Sequence, residues 1–246
     1  MSADLGHGAA ADNYRHSRPF GVLENPVVDI VGVRLDAPAE DSAALWQLLS
    51  RDEQERARKF RYAEHRQRYI VARASLRRLL AERLRIAPRA VEFVETKYGK
   101  PRLAPVHGSA DMEFNLSHSG NLALYAFTRG RAVGVDVELI REMPDADDLA
   151  ERFFSVTETA LLRALPLDRR SLAFLACWTR KEAFIKALGL GLSCPLDAFD
   201  VTIDPDAPAR ITRIEERIDT VANWKMQGFT PYRGYIAAVA YRHEIG

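Results

Sequence analysis

Cysteine is nearly absent: Cys177 and Cys194 are the only two in 246 residues, with sixteen residues between them. That rules out a disulfide framework and a cysteine-rich zinc site, and it fits a reducing compartment, so a cytoplasmic protein is expected. No run of 18 or more apolar residues occurs, which argues against a membrane span. The opening "MSADLGHGAAADNYRHSRPFG" lacks the basic start and apolar block of a signal peptide, and residues 1–26 read as a poorly ordered tail. Net charge is also nearly missing, at +1. What remains, 47% apolar and 28% charged residues, describes an ordinary globular chain long enough for one large domain or two small ones.

The neutral total conceals an asymmetry. Residues 51–89 hold thirteen Lys/Arg and five Asp/Glu, a net of +8, so the remainder of the chain carries 1 − 8 = −7. A basic segment on a near-neutral protein suits a phosphate-rich or acidic partner; the plainer alternative is a solvated arginine-rich helix.

Periodicity divides the chain into helices and short strands. "VVDIVGVRL" reads as a first strand. "DAPAEDSAALWQLLS" reads as a turn and short helix, and "RDEQERARKF" as a second helix. "HRQRYIVARASLRRLLAERL" is a longer amphipathic helix with Leu76, Leu79, Leu80 and Leu84 on one side, ending near Pro88. "VEFVET" is a strand and "KYGKPRL" a loop. "MEFNLSHSGNLALYAFTRGRAVGVDVELI" reads as a three-strand meander turning at "SGN" and "TRGR", which brings Ser117 and His118 to the sheet edge that carries Asp136 and Glu138. Then come "LAERFF" and "SVTETALLRAL", the latter with Ser155 and Glu158 spaced as a capping box. A second long helix, "DRRSLAFLACWTRKEAFIKALGLGL", is stopped by its glycines, and several late strands follow. The two parts of the chain look roughly alike, although no sequence repeat establishes a duplication.

The chemistry-bearing residues gather in few places. Asp136 and Glu138 sit i, i+2 on a strand and face the same way, so their repulsion calls for compensation. Mg²⁺ takes oxygen ligands and completes its shell with water and substrate phosphate. Trp178, Glu182 and Lys186, spaced i, i+4, i+8, share one helix face, and Glu182 is the candidate third carboxylate. Each feature has a plainer alternative: a solvent-facing strand end, a Glu182–Lys186 ion pair beside a core tryptophan, a turn histidine at His118, a loop lysine at Lys100, a purely capping Glu158.

Taken together, the ordered blocks "KYGKPRL", "FNLSHSGNLALYAF", "GVDVE", "RFFSVTE" and "WTRKEAFIKALGLGL" resemble the Sfp-type 4′-phosphopantetheinyl transferases over roughly residues 28–240. "ARKFRY" and "GYIAAVA" also fit. The resemblance implies an α+β fold in which two similar α+β halves, 27–131 and 132–246, pack as an intramolecular pseudo-dimer, with the site in the cleft between them and the chain a monomer. It implies transfer of the phosphopantetheine arm of coenzyme A to a serine of an apo acyl or peptidyl carrier protein, releasing 3′,5′-ADP. By the same resemblance Asp136, Glu138 and Glu182 hold Mg²⁺, with Mn²⁺ as a substitute. Glu182 is a candidate base and Glu158 the alternative. Lys186 and Lys181 face phosphate oxygens, Ser117 and His118 lie near the 3′-phosphate, and Lys100 lines the nucleotide site. Arg56 and Arg73 are further phosphate contacts, although some relatives carry lysine at the positions of Glu53 and Arg56. The basic segment, Arg66 and Arg77 in particular, then suits an acidic carrier.

Three other readings compete: an Mg²⁺-dependent phosphoanhydride hydrolase, a nucleic-acid binder using residues 51–89, and a coenzyme A-binding scaffold. The basic residues alternate with a leucine face and no base-reading motif appears, which disfavours nucleic acid.

Overall fold

The computed structural model describes residues 25–36, 42–108 and 111–243. The expected N-terminal tail, apart from its last two residues, lies outside them. Among the described residues no helix is long and apolar enough to cross a membrane.

Two 22-residue helices organise the chain. The first half runs β1 (Asp29–Arg34), α1 (Ser42–Trp46), α2 (Arg51–Arg58), α3 (Ala63–Leu84), β2 (Phe93–Glu95), β3 (Pro101–Leu103), β4 (Met112–Ser119) and β5 (Leu122–Arg129). The second runs β6 (Val133–Leu139), α4 (Ala146–Phe153), α5 (Val156–Ala164), α6 (Leu167–Leu188), β7 (Phe199–Val201), β8 (Ile211–Ile214), β9 (Trp224–Phe229) and β10 (Tyr235–Arg242). Both α2 and α5 begin with complete capping boxes, Ser50/Glu53 and Ser155/Glu158. α6 ends on Gly189 at φ 71°, where glycine costs nothing. α3 ends on Arg85 at φ 58°, the same left-handed turn made without glycine.

The sheets are antiparallel, in the orders β1–β5–β4 and β6–β10–β9, with the ribbons β2–β3 and β7–β8 beside them. Strand, long helix, ribbon, then a hairpin whose last strand pairs with the first: this plan occurs twice, so the expectation of two similar α+β halves holds. The expected meander does not. β6 leaves β5 and opens the second sheet by pairing with β10. The reason is that β5 has no free edge: β1 and β4 pair with it on either side, while its two faces are buried by Ala123 and Tyr125 against α3 and by Leu122, Leu124 and Ala126 against the other sheet. "KPRL" also differs from expectation, forming β3 against β2 rather than plain loop.

Three cores result. α3 packs Val71, Leu76 and Leu80 on Phe114 and Tyr125. α6 packs Phe174, Phe184 and Ile185 on Phe199, Trp224 and Ala238. Between the sheets lie Leu122, Leu124, Val133, Val135, Val137, Ala237 and Val239. Leu124, Val133, Val135 and Val239 are fully buried there. At about 1.5–3 kcal/mol each, those four alone contribute up to roughly 6–12 kcal/mol, so the halves hold together as one body. α6 lies so close to β6 that a Cβ on Gly134 would stand 2.1 Å from the Ala183 carbonyl oxygen and 2.3 Å from the Ala187 nitrogen. The glycine of "GVDVE" is a packing requirement.

Candidate active site

The site grows from the alternation of β4. Asn115, Ser117 and Ser119 project from one face of the strand, toward β6, while Phe114 belongs to the α3 core. Asn115 Oδ1 accepts the Val135 N–H at 2.9 Å. Ser117 Oγ donates to Asp136 Oδ1 at 2.7 Å. Ser119 Oγ donates to Glu138 Oε2 at 2.8 Å and accepts the Leu139 N–H at 3.1 Å. Partners rise together along both strands, so β4 and β6, edges of separate sheets, run parallel and are joined by side chains instead of a ladder. Ser117 therefore meets Asp136 as expected, by direct adjacency rather than across a meander.

α6 closes the site. Between 173 and 187 every residue is buried except Trp178, Glu182 and Lys186, the expected i, i+4, i+8 stripe. Trp178 stacks on Phe174 with 6.0 Å between ring centroids. Lys186 does not pair with Glu182. Its ammonium donates to Asp136 Oδ1 at 2.6 Å and to Ser117 Oγ at 3.0 Å. Burial, with the charges of Asp136 and Glu138, raises the Glu182 carboxyl above its ordinary pKa, against the opposing pull of Lys186. Lys100 reaches over from the first half, donating to the Val133 carbonyl at 3.0 Å; burial pushes its pKa down to about 8. His118 keeps an exposed edge, yet desolvation, then the Lys186 charge and that of Arg68, lowers its pKa.

Asp136 is 4% exposed, and its Oδ2 is buried without a partner. A buried carboxylate oxygen left unpaired is costly. Among the described residues no three His, Cys, Asp or Glu groups already converge as an ion shell. Even so, an all-oxygen set of Asp136, Glu138 and Glu182, with one orphaned oxygen, fits a hard divalent ion such as Mg²⁺. The repulsion within "DVE" is already eased by Lys186, Ser117 and Ser119, and by Arg141 at 3.5 Å from Glu138.

Other expected site residues lie elsewhere. Lys181 is completely buried, 2.7 Å from Glu158 Oε2 and donating to the Leu196 and Phe199 carbonyls at 2.7 Å each. It faces away from the cleft, which corrects its assignment to phosphate. Glu158 is 1% exposed; besides that ion pair it accepts the Ser155 N–H at 3.0 Å and the Val201 N–H at 2.8 Å. A base so enclosed reaches no substrate, so its plainer capping role prevails. Arg73 is held by Glu53 at 2.6 Å, beside Arg77 at 2.6 Å from the same carboxylate. Neither Arg73 as a phosphate contact nor Arg77 as a docking residue is free to act. Arg56 is exposed, over the Tyr69 ring at 5.8 Å.

Residues that motif reading passed over complete the cleft. Asn121, in the β4–β5 turn, takes Arg68 Nε on its side chain at 2.9 Å and gives its N–H to the Tyr235 hydroxyl at 3.1 Å. The turn is thus fixed from both halves. Ser119 and Asn115 had a readable signal, the polar alternation of "NLSHS"; Arg68 and Tyr235 had none.

Comparison with known proteins returns two family models on this chain. One, described as the 4′-phosphopantetheinyl transferase superfamily, matches residues 132–240; the other, the N-terminal part of a 4′-phosphopantetheinyl transferase, matches residues 37–129. The 4′-phosphopantetheinyl transferase HetI of Nostoc sp. is 36% identical over 222 residues, 90% of either chain. The 4′-phosphopantetheinyl transferase Sfp of Bacillus subtilis is 32% identical over 184 residues, 74% of this chain and 80% of its own.

Proposed function

Because the chain belongs to the 4′-phosphopantetheinyl transferase superfamily, we propose that it moves the phosphopantetheine arm of coenzyme A onto a serine of an apo acyl or peptidyl carrier protein in an Mg²⁺-dependent reaction that releases 3′,5′-ADP. The observation that carries this reading is the meeting of Ser117 and Lys186 on one oxygen of Asp136 whose other oxygen is orphaned, with His118 near both charges and Lys100 reaching β6 at Val133.

The residues divide the work by chemistry. Lys186 and Lys100 offer ammonium groups to phosphate oxygens, and Ser117 and His118 offer hydrogen bonds. Asp136, Glu138 and Glu182 would hold the divalent ion, which when bound supplies Lewis-acid stabilisation of charge on the pyrophosphate. Glu182, directly or through a water, is the group we assign to take the carrier serine proton. Arg56, Arg58, Arg61 and Arg66 are all exposed, and this basic surface of the first half suits an acidic carrier. Both halves supply the site within one chain, divided between 131 and 132, so the working unit is a monomer acting in the cytoplasm.

Incubation with coenzyme A, Mg²⁺ and an apo carrier tests the proposal. A carrier mass increased by the phosphopantetheine arm, with 3′,5′-ADP released, is expected; free phosphopantetheine formed equally well without carrier would replace transfer by hydrolysis.

A further inference from the structure

The buried Glu158–Lys181 pair lies outside the cleft, but its placement links three segments to the helix that carries Glu182 and Lys186. Lys181 precedes Glu182 directly. Its ammonium is shared among Glu158 Oε2, the Leu196 carbonyl and the Phe199 carbonyl, each at 2.7 Å. Glu158 in turn closes the capping box of α5 through Ser155 and holds β7 through the Val201 N–H. On the β6 side, Gly134 admits the backbone of α6 at Ala183 and Ala187 with no room to spare. The turn bearing Glu182 and Lys186 is thus held at two places, by β6 in front and by a charged, fully hydrogen-bonded node behind.

From this geometry we infer that Glu158 and Lys181 are positioning residues for the active site: they set the axial position and rotation of α6, and so the approach of Glu182 and Lys186 to Asp136. A purely stabilising core needs no ions here, because well-packed apolar groups of similar volume generally serve as well or better. A charged node whose every donor and acceptor is directed permits one arrangement of α6, whereas an apolar contact tolerates sliding. Displacements of about 1 Å among reacting groups cost on the order of a hundredfold in rate.

The inference rests on the transferase reading, and the test separates the two. The double variant Glu158→Gln/Lys181→Met removes the charges and keeps the volume. It is compared with the wild type for thermal midpoint, for Mn²⁺ affinity by calorimetry without coenzyme A, and for kcat and carrier KM. We expect a folded protein, about tenfold weaker Mn²⁺ binding and a kcat lower by about tenfold or more, with carrier KM little changed. If the double variant does not fold, Glu158→Gln alone, which keeps oxygen acceptors around Lys181, is put through the same measurements with the same expectation. A folded variant with wild-type Mn²⁺ affinity and kcat overturns the positioning role. Failure of the transferase reading shows separately, as absence of transfer by the wild type, and leaves the Mn²⁺ comparison intact.

Discussion

The two halves share one plan and differ in what they do with it. Counting along each 22-residue helix, Arg73 and Arg77 are positions 11 and 15 of α3; Cys177 and Lys181 are positions 11 and 15 of α6. Each helix turns these positions toward the capping-box glutamate of the helix before it, Glu53 or Glu158. Even the backbone partners correspond: Arg77 donates to the carbonyls of Pro88 and Val91, Lys181 to those of Leu196 and Phe199. At the working positions the correspondence inverts. Where β6 reads "VGVDVE", β1 reads "VGVRLD", and at positions 16 and 20 α3 has Arg78 and Glu82 where α6 has Glu182 and Lys186. The first half thus has Arg34, Asp36 and Arg78 in place of three carboxylates, and Arg34 pairs with Asp36. The shared plan carries its supports in both halves and its cluster of three carboxylates in one.

The largest effect should come from breaking the supports unequally. Lys181→Met leaves Glu158 buried with only a cysteine and neutral donors, and should cost about 3–5 kcal/mol in chemical denaturation. Arg77→Met leaves Arg73 on Glu53, so its cost should be clearly smaller. Equal costs would contradict the contrast between a sealed and a half-open node. Gly134→Ala comes next. The added methyl has backbone on both sides and no flexible neighbour to displace, so about 3 kcal/mol of stability should be lost, with activity falling as α6 is pushed off β6.

The chemical contrast is tested by Asp136→Asn against Asp36→Asn. Asp136→Asn should lower kcat/KM by about a hundredfold, equivalent to about 2.7 kcal/mol, while leaving the fold intact. Asp36, exposed and paired with Arg34, should give wild-type rates. Comparable losses at both positions would mean that the first half contributes to the chemistry.

How far this was legible depends on range. Most element types, the Ser155/Glu158 capping box and the α6 stripe are local patterns, and they read correctly from "SVTE" and "WTRKEAFIK"; "SRDE" carries the same local signal for the Ser50/Glu53 box, which motif reading passed over. The destination of β6 was not local. "TRGR" looks like a hairpin turn, yet the edge of β5 that β6 would need is taken by β1, a strand far earlier in the sequence, so no local pattern reports it. The likeness of the halves was hidden for a related reason: Arg34, Arg78 and Glu82 stand opposite in charge to Asp136, Glu182 and Lys186, so sequence similarity fades at those positions while the geometry is kept. Lys181 and Glu158 were misplaced because motif spacing does not report which face of a helix a charge occupies when almost every face is buried.

The smallest predicted effect concerns Lys100, a first-half ammonium that reaches the second half at Val133. Burial lowers the Lys100 pKa from 10.5 to about 8. In the folded protein Lys100 therefore loses its proton as pH rises through about 8, whereas the unfolded chain holds that proton until about 10.5. Between those values the unfolded state binds more protons, so this group's contribution to stability improves with pH. Its service to a phosphate changes in the opposite direction. A charge-assisted hydrogen bond is worth roughly 1.5–3 kcal/mol, so coenzyme A KM should climb by about fivefold to tenfold from pH 7 to pH 9 as most of Lys100 becomes neutral. Lys100→Arg, which keeps its charge throughout, should flatten that rise, at some cost in fit beside Gly189. A KM profile that climbs equally in the wild type and in Lys100→Arg would assign the pH dependence to another group and remove Lys100 from the nucleotide site, leaving the cleft to be built by the second half together with β4 alone.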